Sequence, residues 1–221
     1  MAQPLQETAY EHIRSQILSG QLRPNTLYSE TKMAAELHIS RTPIKDALVR
    51  LSQDRLIDII PSKGFRLHAM SSEDIWSTYQ ARTAVEGFCA MHLARSRQTP
   101  SGQAVIREME TCQAAMDRFL EEGSSSETFL ETFLEYDLQF HQILVDFSQN
   151  EELQQLFRAY HYRLQLFALE SLRVEGRPQA ACREHREILR AIAAPNDAAG
   201  MQAYLAIMHH MEITRDIMLS I

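Results

Sequence analysis

Apolar residues recur at helical spacing along most of this chain, and the punctuation between them divides it into two blocks. In residues 5–19, Leu5, Ala9, Ile13, Ile17 and Leu18 share one face, which predicts an amphipathic helix with Gly20 as its C-cap. A turn follows at Arg23-Pro24-Asn25, where Asn25 suits a left-handed conformation. From Ser29 to Leu51 the pattern is two short helices with a sharp turn at Leu37–Ser40. The second starts at Ser40 or Thr42 and carries Pro43 in its first turn, where a missing N–H costs nothing. Ile44, Ala47, Leu48 and Leu51 form its inward stripe, and Arg41, Thr42, Lys45 and Val49 share an outward face. Leu56–Ile60 and Phe65–His68 are strand candidates, joined by a tight turn at Pro61-Ser62-Lys63-Gly64.

The second block begins after the polar break Met70-Ser71-Ser72-Glu73-Asp74. Its periodicity predicts helices over about 72–96, 101–121, 126–148, 150–172, 179–194 and 197–219, separated by breaks rich in Pro, Gly, Ser or Asn, among them 122–126 and Gly176-Arg177-Pro178. The expected fold is mainly α. A small helix-turn-helix unit with a β-hairpin wing (1–70) precedes an antiparallel bundle of about six α-helices (71–221). A helix anchored on one side with two cations and a hydroxyl on the other is what a helix-turn-helix places in a DNA major groove. Spacing alone fits a solvated helix pair equally well. The hairpin that follows favours the winged reading, with Lys63 supplying charge at its tip and Gly64 allowing close backbone approach to a phosphate.

The net charge of −7 is unevenly spread. Residues 1–70 carry 9 Lys+Arg against 7 Asp+Glu, a balance of +2, and residues 71–221 carry 13 against 22, a balance of −9. That asymmetry fits a DNA-reading module joined to a unit that does not touch DNA. So small a positive balance argues for a few placed contacts and for paired action of two copies. No apolar run approaches 20 residues, so no membrane span is expected, and the N-terminus lacks the features of a signal peptide. Three cysteines without a C-x-x-C pair read as reduced packing residues of a cytoplasmic protein.

Within the bundle, four polar residues occupy positions that should be apolar. Asp137 and His141 fall in the stripe marked by Phe133, Leu134, Leu138 and Leu144, four residues apart and pointing inward on adjacent turns. His185 precedes Ile188 and Leu189 on an inward face, and His210 belongs to the row Ala203, Ile207, His210, Thr214 and Ile217. Each histidine alone fits a hydrogen-bonded core residue. Together, one carboxylate and three imidazoles make an ordinary site for Zn²⁺, Ni²⁺ or another divalent transition metal. Arg82 and Glu86 form an i,i+4 pair on the first bundle helix.

The run Ser40-Arg41-Thr42-Pro43-Ile44-Lys45-Asp46-Ala47-Leu48 resembles the recognition helix of the GntR family of bacterial winged-helix transcription regulators, whose pattern is roughly S-R-T-P-V-R-E-A-L. Tyr136-Asp137-Leu138-Gln139-Phe140-His141 and Glu184-His185-Arg186-Glu187-Ile188-Leu189 are similar to the FCD ligand-binding domain of its FadR-type subfamily. Two departures stand out: Asn25 and His38 occupy positions where the family usually has Gly. The second is expected to strain the turn by about 1 kcal/mol.

The resemblance implies a homodimer that binds double-stranded operator DNA, through Arg41, Thr42, Lys45, Lys63 and Gly64. It also implies a metal held by an Asp and three His, here Asp137, His141, His185 and His210, and a small carboxylate effector contacted by Arg82. His209 adjoins the last ligand, and the inward row favours His210. The expected function is a transcription regulator, acting as a repressor, controlled by an organic acid. The competing readings are a metal-dependent hydrolase or isomerase, which would leave the first 70 residues unexplained, and a non-sensing interaction protein with a purely structural histidine cluster.

Overall fold

The computed structural model of the chain describes residues 4–23, 25–123 and 129–221, which divide between Ser71 and Ser72 into two units. Pro24 of the expected first turn, and residues 124–128 of the expected break and helix start, lie outside the described residues. In the first unit α1 (Leu5–Leu18) packs on α3 (Arg41–Gln53), with α2 (Glu30–Glu36) between them in sequence. Ala9, Ile13 and Ile17 of α1 are buried as the spacing requires, while Leu5 is exposed at the start of the helix. Ile44, Ala47, Leu48 and Leu51 are all buried, which fixes which face of α3 points outward. Ser29 caps α2 by accepting the Lys32 N–H at 3.4 Å. His38 adopts φ 54° in the turn to α3 and Asn25 φ 58°, so both bear the left-handed geometry that a glycine would take without strain.

Strands β1 (Ile57–Ile60) and β2 (Gly64–Leu67) pair antiparallel, with Ile57 opposite Leu67 and Ile60 opposite Gly64. Gly64 opens β2 rather than closing the turn. Its φ is 126°, and a Cβ there would lie 1.9 Å from the Tyr28 carbonyl oxygen. Phe65 bridges to Tyr28 through two backbone hydrogen bonds of 2.7 and 3.0 Å. The close approach that demands glycine at the wing is therefore to the chain's own backbone.

The second unit holds six helices among the described residues: α4 (Ser72–Arg95), α5 (Pro100–Glu121), α6 (Phe129–Asp146), α7 (Glu151–Leu172), α8 (Arg177–Ala193) and α9 (Ala199–Ser220). α4 and α9 run antiparallel along their length, with Tyr79 bonded to Glu212 and Gly87 under the Tyr204 ring. A Cβ at position 87 would come within 2.7 Å of that ring, so the helices approach this closely only with glycine there. α8 begins two residues earlier than the periodicity predicts. Gly176 (φ 76°) is its N-cap, and Pro178 sits in the first turn, where it forfeits no helical hydrogen bond. This puts Arg177 on the helix and inside the bundle instead of in a surface turn. Cys89, Cys112 and Cys182 are free thiols packed in the core.

Candidate DNA-reading face and buried metal centre

In the first unit the outward face of α3 and the wing meet in one cleft of about 350 Å³, lined by Arg41, Lys45, Lys63 and Gly64 together with Ser29, Glu30, Thr31 and Ser62. Arg41, Thr42, Lys45 and Lys63 are exposed. Arg41 leans on Glu30 at 3.3 Å, a pair open to solvent that a phosphate or base edge would displace at little cost. Gly64 is buried against Tyr28, and Thr42 is exposed next to Arg41 at the start of α3 without lining the cleft.

In the second unit α6, α8 and α9 bring His141, His185 and His210 together in the core, none more than 3% exposed. A ligating atom from each lies within 4.8 Å of the others, and the ring centroids are 4.9–5.2 Å apart. Asp137 is buried beside them, its Oδ1 3.5 Å from His185 Nε2. Ligands of one Zn²⁺ at about 2.0–2.1 Å keep about 3.4 Å between them in a tetrahedron, so the three rings would draw together to share an ion. Both ring nitrogens of His185 lack a hydrogen-bond partner among the described residues despite full burial. An orphaned buried imidazole is costly unless something absent from the protein chain satisfies it. The donor set therefore fits a divalent transition metal. His209, by contrast, is exposed in a surface groove with Ala180, Arg183 and Glu187, so His210 is the member of the cluster.

Two glutamates stand against the cluster: Glu86, expected only as the ion-pair partner of Arg82, and Glu184, to which the sequence reading gave no role. Glu86 places Oε2 2.6 Å from His141 Nδ1, off the hydrogen-bond direction, and accepts from Arg82 Nε at 2.7 Å. Glu184 accepts from His210 Nδ1 at 2.6 Å and takes a bidentate pair from Arg177 at 2.6 and 2.8 Å. Arg177 also donates to Thr214 at 3.2 Å. The available signals were weak ones: the i,i+4 spacing of Arg82 and Glu86, and the adjacency of Glu184 to His185. Arg177 had none, because it read as part of a turn.

Burial works to raise the Glu86 carboxyl, but the charges of Arg82 and His141 outweigh it and hold the group down at about 2. Burial raises Asp137 above its ordinary range, against the pull of His141 and Arg82. Burial, followed by the neighbouring imidazoles and arginines, drives His185 and His210 well below the ordinary 6.5. Both are thus neutral, with lone pairs ready for an ion.

These directions set a pH dependence for protein stripped of metal by chelator. The two imidazoles resist protonation in the fold but take it up near 6.5 when unfolded. Their contribution to stability is full above 6.5 and is lost as the pH falls below it, by about 1 kcal/mol per histidine per pH unit. Chelator-treated protein is expected to melt at lower temperature at pH 5.5 than at pH 7.5. Equal melting temperatures would show that these rings are not buried neutral.

A winged helix-turn-helix followed by a helical bundle with a buried histidine cluster defines a DNA-binding transcription regulator with a second, non-DNA unit. Residues 5–67 match the bacterial regulatory proteins of the gntR family, and residues 77–212 match the FCD domain. The chain belongs to the GntR family of transcription regulators, in the FadR-like group that carries an FCD domain. It is 23% identical over 201 residues to the uncharacterized HTH-type transcriptional regulator YdhC of Bacillus subtilis, covering 91% of this chain and 86% of that protein. It is 33% identical over 147 residues to the Nta operon transcriptional regulator of Aminobacter aminovorans, covering 66% and 65%. Among solved structures, a putative transcriptional regulator GntR from Rhodococcus sp. RHA1 superposes with a TM-score of 0.70 at 21% identity over 98% of both chains, a likeness of fold. No helix among the described residues is long and apolar enough to cross a membrane.

Proposed function

We propose that this regulator is a homodimeric cytoplasmic repressor whose grip on operator DNA is set by a small organic acid bound at a metal in the bundle. In this reading residues 1–70 are the DNA-binding domain and residues 71–221 the effector-binding and dimerisation domain. Asp137, His141, His185 and His210 hold a divalent transition metal, Zn²⁺ or Ni²⁺, which when bound supplies a Lewis-acidic position for a carboxylate. The observation that carries the reading is the cluster of three fully desolvated imidazoles with a carboxylate beside them.

In this reading Arg82 is the effector contact. Its Nε is committed to Glu86, so only the terminal nitrogens are left to meet a ligand. They border a cavity of about 10 Å³ with Thr78, Tyr79, Phe167 and Thr214. That is the space of one water, so a metabolite enters only as α4, α7 and α9 move apart. The Thr78 hydroxyl, buried there without a hydrogen-bond partner among the described residues, is a waiting donor for it. Such a displacement is the differential contact through which an effector can bias one arrangement of a dimer over another.

A thermal-shift screen of mono-, di- and hydroxy-carboxylates, run with and without chelator, tests this. A true effector at a hundredfold excess over its Kd should add about 2.7 kcal/mol, or about 5–10 °C for a chain of this size, and lose that effect with chelator. Absence of bound metal in elemental analysis together with no carboxylate hit would sink the proposal. A promoter reporter for the chain's own upstream region decides the sign of regulation: reporter activity should rise when the protein is removed.

A further inference from the structure

The three imidazoles are not held alike. His185 is steered by stacking, its ring 4.2 Å from Phe140 and within 4° of parallel. His210 instead shares a hydrogen bond through Nδ1 with Glu184 at 2.6 Å, and His141 has Nδ1 2.6 Å from Glu86 in a contact not yet aligned as a hydrogen bond; each glutamate is anchored by an arginine. The two arrangements come from different helices. Arg82 and Glu86 on α4 serve His141 on α6, while Arg177 and Glu184 on α8 serve His210 on α9. Glu86 is fully buried, and neither arginine side chain is more than 7% exposed.

We infer that Glu86 and Glu184 are the positioning residues of the metal centre, each clamped by its arginine and each fixing one histidine so that Nε2 faces the ion. This rests on the metal reading above. An ionised carboxylate only accepts, so a ring nitrogen against it carries the proton and the opposite nitrogen keeps the lone pair. Outer carboxylates of this kind set ligand tautomer and ring angle, and their loss usually weakens metal binding by about 10–100-fold.

The arginines add something further. Each Glu–Arg pair is neutral, so the two clamps orient the rings without adding net charge, and Asp137 alone contributes a net negative charge to the ligand set. A glutamate without its arginine would draw the metal more strongly but would be an uncompensated buried charge in its absence. The clamps thus let the bundle fold with the site empty of metal and still present it organised.

The test uses the full-length protein, Co²⁺ as probe, and the variants Glu86→Gln, Glu184→Gln and His185→Gln. Chelator competition gives Co²⁺ affinity, and proton NMR of the Co²⁺ form reports the paramagnetically shifted Nδ1–H of each ligating ring. Glu86→Gln should weaken Co²⁺ binding by about 10–100-fold. It should also shift the His141 Nδ1–H signal and speed its exchange with solvent while leaving that of His210 unchanged. Glu184→Gln should do the reverse. Circular dichroism of the metal-free variants shows that each is folded, and for a variant that is not, the corresponding Asp substitution, which keeps the charge but draws the carboxylate one methylene back from the ring, takes its place with the same expected outcomes.

Affinities within twofold of wild type with unchanged ring signals overturn the positioning role and leave the metal reading standing. Wild type that binds Co²⁺ no better than His185→Gln overturns the metal reading, and the positioning role with it.

Discussion

Arg41→Ala should lower affinity for operator DNA by orders of magnitude while leaving the fold and the buried histidine cluster intact. Arg41 opens α3, on the face opposite the buried Ile44, Ala47 and Leu48, and lines one cleft with Lys45 and the wing residue Lys63. Its pair with Glu30 is solvent-open at 3.3 Å, so removing it should change stability by well under about 1 kcal/mol. A guanidinium meeting a base edge or phosphate is worth about 1–3 kcal/mol, and in a dimer both half-sites lose it. The expected cost is about 2–6 kcal/mol, on the order of 30- to 10,000-fold in affinity. Fluorescence anisotropy with upstream DNA at one fixed salt concentration measures this. Lys63→Ala is the informative comparison: it should weaken all sequences alike and flatten the salt dependence by about one unit for each phosphate that the lysine neutralises. An Arg41→Ala protein that binds the operator as wild type does would show that α3 is not the reader.

His185→Gln should abolish metal binding while operator recognition through Arg41 survives in the absence of effector. His185 is fully buried, faces Asp137 at 3.5 Å through Nε2, and makes no hydrogen bond to the described residues. Glutamine keeps most of its volume, so the stack against Phe140 is lost without opening a large cavity. The loss in metal affinity should exceed the about 10–100-fold typical of outer partners, because an inner ligand goes. Added Zn²⁺ or Ni²⁺ should therefore raise the melting temperature of wild type but not of the variant. A variant that still gains the full shift would place the ion elsewhere. The two substitutions should act independently, since each acts within its own unit.

The difference between these two sites also explains what could be foreseen of them. The candidate DNA-reading face is local. Arg41, Thr42 and Lys45 lie on one helix within five residues, and a 3.6-residue period suffices to place them outward once Ile44 and Leu48 are inward. The wing is nearly as local, although the reason for Gly64 was not: it answers to Tyr28, a residue 36 positions away that pairing brings against it. The inward placement of Asp137, His141, His185 and His210 was legible because polar residues interrupt apolar stripes, and a stripe can be read one helix at a time. Of the pair His209 and His210, the inward row singles out the residue that joins the cluster, and its neighbour faces solvent.

The contacts of those histidines with glutamates on other helices were not legible. Glu86 read only as the i,i+4 partner of Arg82, and nothing within one helix pointed from it to His141 on another. Arg177 stood beside a proline and a glycine, and the turn signal masked its place in the first turn of α8. Arg82, read as an effector contact, proves to be half committed to a glutamate that serves a histidine on another helix.

Periodicity and local chemistry thus determined the helices, the outward cations of α3 and the inward Asp137, His141, His185 and His210, since each depends on neighbours within about two turns. Which residues stand against those histidines, how small a space adjoins Arg82, and why a glycine stands at the wing were decided only by the tertiary structure. Those pairings join residues tens of positions apart, and burial makes a charged or polar side chain take whichever partner the packing brings to it.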